Sequence, residues 1–244
     1  MSYVIMEKVS KKFGHGNTAV TALDNIGFTI AQGEFVAVMG ESGAGKSTLL
    51  SILGAMSAPT NGRLVVDGMD VYHLRPEQQT DFRREFLGFI FQSFHLVPYL
   101  TVLENVMLPL AVIKMSNRQK KEMAQSALIQ VGLTEKADRL PNQISGGESE
   151  RVAIARAIVN EPPVLLADEP TGNLDSQTSR EIMQQLNTLN RAGMTIIMVT
   201  HSQACADYAR RLLQISDGKL IKDQPTVRSV PAPHQANNRA RASY

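Results

Sequence analysis

One octapeptide has the composition and spacing of a phosphate cradle. Gly40-Glu41-Ser42-Gly43-Ala44-Gly45-Lys46-Ser47, followed by Thr48, fits the pattern G-x-x-x-x-G-K-[ST]. Its glycines let backbone N–H groups curl around phosphate oxygens that side chains would obstruct. A helix starting there adds the partial positive charge of its N-terminus, the lysine reaches the β- and γ-phosphates, and the Ser47 hydroxyl can ligate Mg²⁺. A glycine-rich structural turn is the plainer alternative. It leaves unexplained the apolar strand before the loop and the helical pattern after it.

Other residues of chemical interest fall at strand ends. Asp168 closes the apolar run 164–167, where a carboxylate can hold Mg²⁺ through water. Glu169, displaced toward the other side of a nucleotide, suits a general base or water-orienting group for attack on a γ-phosphate. His201 closes a strand over residues 195–200, and Gln92 ends one over 87–91. In an open α/β sheet that edge is where ligands bind, and either side chain could contact a γ-phosphate there. Position alone leaves both open to structural or solvent-exposed roles. Ser145-Gly146-Gly147 precedes a helix carrying Val152, Ile154, Ala155 and Ile158. A serine cap with two glycines would admit a phosphate, and would equally make an ordinary helix start.

The hydrophobic pattern supplies the elements that hold these residues. Residues 4–6, 19–30 and 34–39 read as strands, and 46–55 as a helix with Leu49, Leu50 and Leu53 on one side. Residues 63–66 read as a strand closed by the turn pair Asp67-Gly68, and 87–91 as a strand after a polar helical stretch from Pro76. Thr101 with Glu104 and Ser116 with Gln119 spell capping boxes, the second opening a helix that ends near Gly132. Residues 95–158 are therefore expected to form a helical subdomain inserted into an α/β body. Strand 164–167, helix 176–191 and strand 195–200 then imply a parallel sheet. Beyond Asp223 the sequence turns to Pro, Ala, Asn, Ser and Arg, so residues 223–244 are expected to be a disordered tail.

Composition removes several classes. In 244 residues, 25 Lys and Arg against 23 Asp and Glu leave a net charge of +2, too balanced to advertise a nucleic-acid surface. Cys205 is the single cysteine, which excludes an intrachain disulfide framework or a cysteine-only zinc site. The longest apolar stretch, residues 106–113, contains Pro109 and falls far short of the ~20 residues of a membrane span. The first residues lack the apolar core of a secretory signal. A soluble cytoplasmic protein, able to rest against a membrane protein, is the expectation.

Together these segments resemble the ABC-type ATPases. GESGAGKS stands as their Walker A loop, ISGGE as the signature, VLLADE as Walker B, GNLD as the D-loop and VTH as the switch, in the family's order over about residues 1–222. The resemblance implies an α/β P-loop NTPase cassette. Its parts would be a RecA-like core (1–94 and 159–222), an N-terminal antiparallel β subdomain and an inserted α-helical subdomain (95–158). ATP and Mg²⁺ are the implied cofactors. Glu169, His201 and Gln92 are the implied catalytic residues, Ser47, Gln92 and Asp168 the implied metal ligands, and Phe13 the ring stacked on adenine. The resemblance further implies a homodimer closing head to tail over two ATP molecules. Ser145, Gly146 and Gly147 of one copy would then meet the γ-phosphate held by Lys46 of the other, with Asp175 at the joint.

Finer features narrow the branch. ADEPTGNLD, with GFIFQSFHLVPYLTVLENVMLPL, is similar to the lipoprotein-releasing, macrolide-exporting and cell-division ATPases of bacteria. That similarity implies polytopic membrane permease partners, a position on the cytoplasmic face of the inner membrane, and no direct contact with the transported substrate. Residues 94–100 would line a groove for a partner's cytoplasmic helix. A mechanical regulator of an envelope or cell-division complex would use the same catalytic residues. A DNA-repair ATPase would need a long coiled-coil insertion and a GTPase an N-K-x-D motif; neither occurs. Three positions depart from the family pattern. Glu148 replaces the usual Gln and brings negative charge toward the neighbouring ATP, Ser202 stands where Asp is commoner, and Phe13 replaces Tyr.

Overall fold

The computed structural model describes residues 2–14 and 18–226. The chain runs β1 (Ser2–Phe13), β2 (Val20–Ala31), β3 (Phe35–Met39), α1 (Lys46–Leu53), β4 (Asn61–Val66), β5 (Met69–Asp70) and α2 (Pro76–Phe86). It continues through β6 (Leu87–Ile90), α3 (Val102–Met107), α4 (Asn117–Gln130), α5 (Gly146–Ile158), β7 (Val164–Asp168) and α6 (Ser176–Arg191). The last elements are β8 (Thr195–Val199), α7 (Gln203–Ala206), β9 (Arg211–Ser216) and β10 (Lys219–Pro225).

Two sheets result. An antiparallel sheet has the order β2-β1-β4-β5, and a six-stranded sheet has the order β10-β9-β3-β8-β7-β6. In the larger sheet β9, β3, β8, β7 and β6 run parallel, and only β10 is antiparallel. Its central strands are buried on both faces, so their apolar runs are continuous while successive side chains serve different cores. Phe35, Ala37, Leu165, Ala167, Ile196 and Met198 face the core made with α3 to α6. Val36, Val38, Val164, Leu166, Ile197 and Val199 face the core made with α1 and the antiparallel sheet.

Among the described residues, the regular elements between 95 and 158 are all helical. Both expected capping boxes form: Thr101 Oγ1 accepts from the Glu104 N–H at 3.2 Å and Ser116 Oγ from the Gln119 N–H at 3.3 Å. α5 packs against α3 and α4 on one side and β6 on another, joining the helical layer to the sheet.

The chain end corrects one expectation. Residues 223–225 belong to β10 rather than to a disordered tail, and β9 beside it was not anticipated. Asp217 and Gly218, at φ +47° and +74°, make the tight turn between these strands, and an Asp-Gly pair is the sequence sign of such a hairpin. Arg211 fixes the edge. Its guanidinium meets both Asp223 oxygens at 2.6 and 2.7 Å and Glu34 at 3.2 Å. Edge-strand hydrogen bonds need no apolar side chains, so a polar composition misleads here. The remainder of the expected tail, residues 227–244, lies outside the described residues.

Glu150, on α5, is 1% exposed, and its Oε1 has no hydrogen-bond partner among the described residues. Burial pushes its carboxyl up to about 8, against the weaker pull of Arg156. Between the usual carboxylate range and that value the folded chain holds a proton that the unfolded chain releases, so stability falls as pH rises. Glu150→Gln removes this dependence. The melting temperature of the variant, relative to the native chain, is therefore expected to improve by several degrees from pH 5 to about pH 8 and to level off above it. A difference that stays constant over this range would contradict the burial argument.

Candidate active site

The parallel strands β3, β6, β7 and β8 deliver their carboxyl ends to one edge. β3 runs into the glycine loop, β6 into Gln92, β7 into Asp168-Glu169 and β8 into Thr200-His201. Between them lies a cleft of about 420 Å³ whose lining includes Lys46, Ser47, Gln92, Asp168, Glu169 and His201, together with Ser42, Gly43, Gly45 and Thr48. The segments meet because adjacent strands end in step: Asp168 pairs with Val199, and Val199 with Val38.

The loop is shaped by two glycines in the left-handed region, Gly43 at φ +81° and Gly45 at φ +102°. A β-carbon on Gly43 would meet open space, whereas one on Gly45 would run into the Ala22 carbonyl and the Leu23 side chain. α1 therefore starts beneath the loop with no side-chain cap on its first N–H groups, the arrangement that favours an anion. Lys46 Nζ donates to the carbonyls of Gly40 and Glu41, both at 2.8 Å, so the ammonium lies across the loop it belongs to. Gly40, Glu41 and Ala44 frame the loop without lining the cleft.

Opposite the loop stand the carboxylates. Glu169 adopts φ +48°, an unfavourable conformation for a residue with a side chain. Its N–H donates to the Val199 carbonyl at 2.9 Å. Its Oε2 lies 2.9 Å from His201 Nδ1 and accepts the His201 N–H at 3.3 Å. The Glu169 side chain is only 12% exposed, while that of His201 is 69% exposed. Burial first, and then the charge of Glu169, push the Asp168 carboxyl above the usual range, with Lys46 pulling it back. Gln92 is held by its backbone, its carbonyl accepting from Asn173 Nδ2 at 2.8 Å. Neither Asn173 nor its partnership was read from the sequence, although Asn173 lies inside the GNLD segment.

The remaining expected site residues lie elsewhere. Phe13, at the end of β1, is 49% exposed with Lys11 Nζ 5.1 Å from its ring centre, and it does not line the cleft, although Ala22 of the neighbouring strand does. Ser145, Gly146 and Gly147 form the start of α5, also outside the cleft. Asp175 caps α6 by accepting from the N–H groups of Gln177 and Thr178, at 2.9 and 3.0 Å. Hydrogen bonds from Thr178 and Gln177 hold its carboxyl below the usual range. The two helix starts adjoin, since a β-carbon on Gly147 would strike the Thr178 methyl.

The departures acquire physical roles. Glu148 completes a capping box, its Oε2 accepting the Ser145 N–H at 2.8 Å while Oε1 stands 3.2 Å from Lys136. Its negative charge is thus turned back onto its own helix and paired, which lowers its carboxyl below the usual range. Ser202 caps α7 by accepting the Cys205 N–H at 3.4 Å.

A family model described as "ABC transporter" matches residues 23–172. The chain is 44% identical over 218 residues to the macrolide export ATP-binding/permease protein MacB of Hyphomonas neptunium, covering 89% of this chain and 34% of that protein. It is 40% identical over 239 residues to MacB of Escherichia coli, covering 98% and 37%. The chain thus spans about a third of the length of these relatives. Among solved structures it is similar to a dimeric post-hydrolysis state of the ATP-binding cassette MJ0796 bound to ADP and Pi. Identity is 41% and the TM-score 0.84, over 91% of this chain and 98% of that one. It also resembles cbiO1 from Clostridium perfringens, part of the ABC transporter complex cbiONQ, at 27% identity and a TM-score of 0.83, over 92% and 89%.

The two loop glycines should respond differently to a methyl group. Gly43→Ala faces only the left-handed backbone and is expected to cost about 1 kcal/mol. Gly45→Ala adds a backbone collision and should cost at least about twice that in urea unfolding. Equal losses would show that the Ala22 contact does not constrain the loop.

Proposed function

This chain belongs to the ABC transporter family, and from that premise we propose that it is the ATP-binding and ATP-hydrolysing subunit of an export, efflux or lipoprotein-releasing transporter. The observation that carries this reading is one cleft holding Lys46 and Ser47 opposite the Glu169–His201 pair. Lys46 and the first N–H groups of α1 neutralise the β- and γ-phosphates. Glu169 takes the proton of the attacking water. Its Oε2 is engaged by His201, leaving Oε1 as the accepting oxygen. His201 donates to Glu169 through Nδ1, and a doubly protonated ring can also donate through Nε2 to a γ-phosphate oxygen.

Mg²⁺ fits the residues present. Ser47 offers a hydroxyl, Gln92 an amide oxygen and Asp168 a carboxylate, all of them hard oxygen donors lining one cleft. An Asp168 carboxyl raised by burial and by Glu169 is also one that a nearby divalent charge would keep ionised. When bound, the ion supplies charge neutralisation at the β- and γ-phosphates.

The start of α5 supports a head-to-tail homodimer, because Ser145, Gly146 and Gly147 stand at a helix N-terminus that lies apart from the cleft of their own Lys46. Each copy lends this helix start to the γ-phosphate on the other, with Asp175 at the joint and Phe13 against the adenine. The partners are polytopic permease subunits, in keeping with relatives named ATP-binding/permease proteins. Among the described residues no helix is long and apolar enough to cross a membrane. In this reading, by its likeness to transporter ATPases, the subunit sits peripherally on the cytoplasmic face of the inner membrane, residues 94–100 receive a partner's helix, and the cargo is never touched.

Glu169→Gln keeps the shape of the side chain and removes its basicity. Steady-state ATP turnover is expected to fall by ~10²-fold or more while binding persists, and the variant should elute as an ATP-dependent dimer in gel filtration. Full turnover by that variant would sink the assignment of the base. Lys46→Ala should weaken binding of a fluorescent ATP analogue by roughly tenfold or more; undiminished affinity would remove the lysine from the site.

A further inference from the structure

The segment that follows Gln92 is strained and restrained from outside. Phe94 and His95 both occupy the left-handed region, at φ +35° and +48°, a conformation that persists for such side chains only where the surroundings impose it. The restraining groups come from two distant stretches. Asn173 donates to the Gln92 carbonyl at 2.8 Å. Arg156, in the last turn of α5, donates to the carbonyls of Phe94 and His95 at 2.5 and 2.6 Å. The His95 ring also stands edge-on to Phe91, 5.1 Å between centres. Beside Asn173, Gly172 adjoins the glutamine itself, since a β-carbon there would lie at contact distance, 3.4 Å, from Gln92 Nε2.

We infer that Asn173 and Arg156 are positioning residues for Gln92, latching residues 92–95 so that the glutamine amide is presented to the cleft. Neither side chain lines the cleft, so any effect on chemistry must pass through the segment they hold. Their places in the fold give the latch a direction. Asn173 lies two residues before Asp175, and Arg156 sits on the helix that begins next to Ser145. The two surfaces assigned above to a second copy are therefore each tied to Gln92 of their own chain. Losing either contact lets residues 92–95 relax from the left-handed conformation and withdraws the amide. The catalytic consequence rests on the ATPase reading, whereas the contact itself does not.

Native chain, Asn173→Ala, Asn173→Asp and Arg156→Lys would be compared by ATPase kinetics, binding of a fluorescent N-methylanthraniloyl-ATP, and amide hydrogen exchange read by mass spectrometry. Asn173→Asp keeps the shape but cannot donate, and Arg156→Lys keeps the charge but loses the two-pronged geometry. The Asn173 variants are expected to lose about fivefold in kcat and Arg156→Lys about tenfold, with analogue affinity within about twofold of native. Exchange of residues 93–96 should rise roughly tenfold in each variant while α1 stays unchanged. Values of kcat within about twofold of an active native chain, with unaltered exchange, would overturn the latch. A native chain without ATPase activity would defeat the ATPase reading instead, and exchange at residues 93–96 would then decide the latch alone.

Discussion

A parallel sheet with both faces covered can end its strands together only if their register is held by packing. Here Ala167 pairs with Ile90, Asp168 with Val199, and Val199 with Val38. Alternate residues of each strand belong to different cores. Slipping β7 by one residue would exchange Leu165 and Leu166 between those cores and carry Asp168 to the opposite face. The carboxylates, the glutamine, the histidine and the glycine loop are therefore placed by the same apolar contacts that stabilise the fold. No separate device is required to assemble them.

Within that edge the polar groups restrain one another. Glu169 is held in an unfavourable backbone conformation by its N–H bond to Val199, and its carboxylate is turned onto His201. Asp168, next to it, is raised by partial burial and by the neighbouring negative charge. Two adjacent carboxylates are tolerable at such a site when a cationic group stands near, and Lys46 is already there, its ammonium donating to the Gly40 and Glu41 carbonyls of its own loop. The cleft thus sets a cationic, glycine-rich loop on one side against a carboxylate–imidazole pair on the other.

Under the proposed function a single chain contains two unlike halves of this chemistry. The cleft holds the glycine loop and the carboxylates, while the α5 start lies apart, its Glu148 charge neutralised by Lys136 and by the Ser145 N–H. Among the described residues the start of α5 does not reach the cleft, which is why a second copy enters the proposed mechanism. The contacts of Asn173 and Arg156 with the segment after Gln92 supply a mechanical path between those halves inside each chain. They are side-chain bonds to backbone carbonyls, so their effect depends on geometry rather than on charge at the cleft.

Much of this was legible in the sequence wherever a local rule governs: the glycine loop before a helix, the two capping boxes, the apolar strand 164–167 and the strand 195–200. Each depends on residues within a few positions of one another, so spacing is enough. The β9–β10 hairpin was missed because its edge strand is polar, although Asp217-Gly218 marked it. The carboxylate–imidazole contact of Glu169 with His201 and the latch of Asn173 and Arg156 on residues 92–95 join segments 32 and 61 to 81 positions apart. Chain order alone determined which groups were available and which elements carry them. Which groups meet was decided by tertiary packing, because hydrogen bonds between remote segments depend on strand register and helix placement that no local pattern encodes.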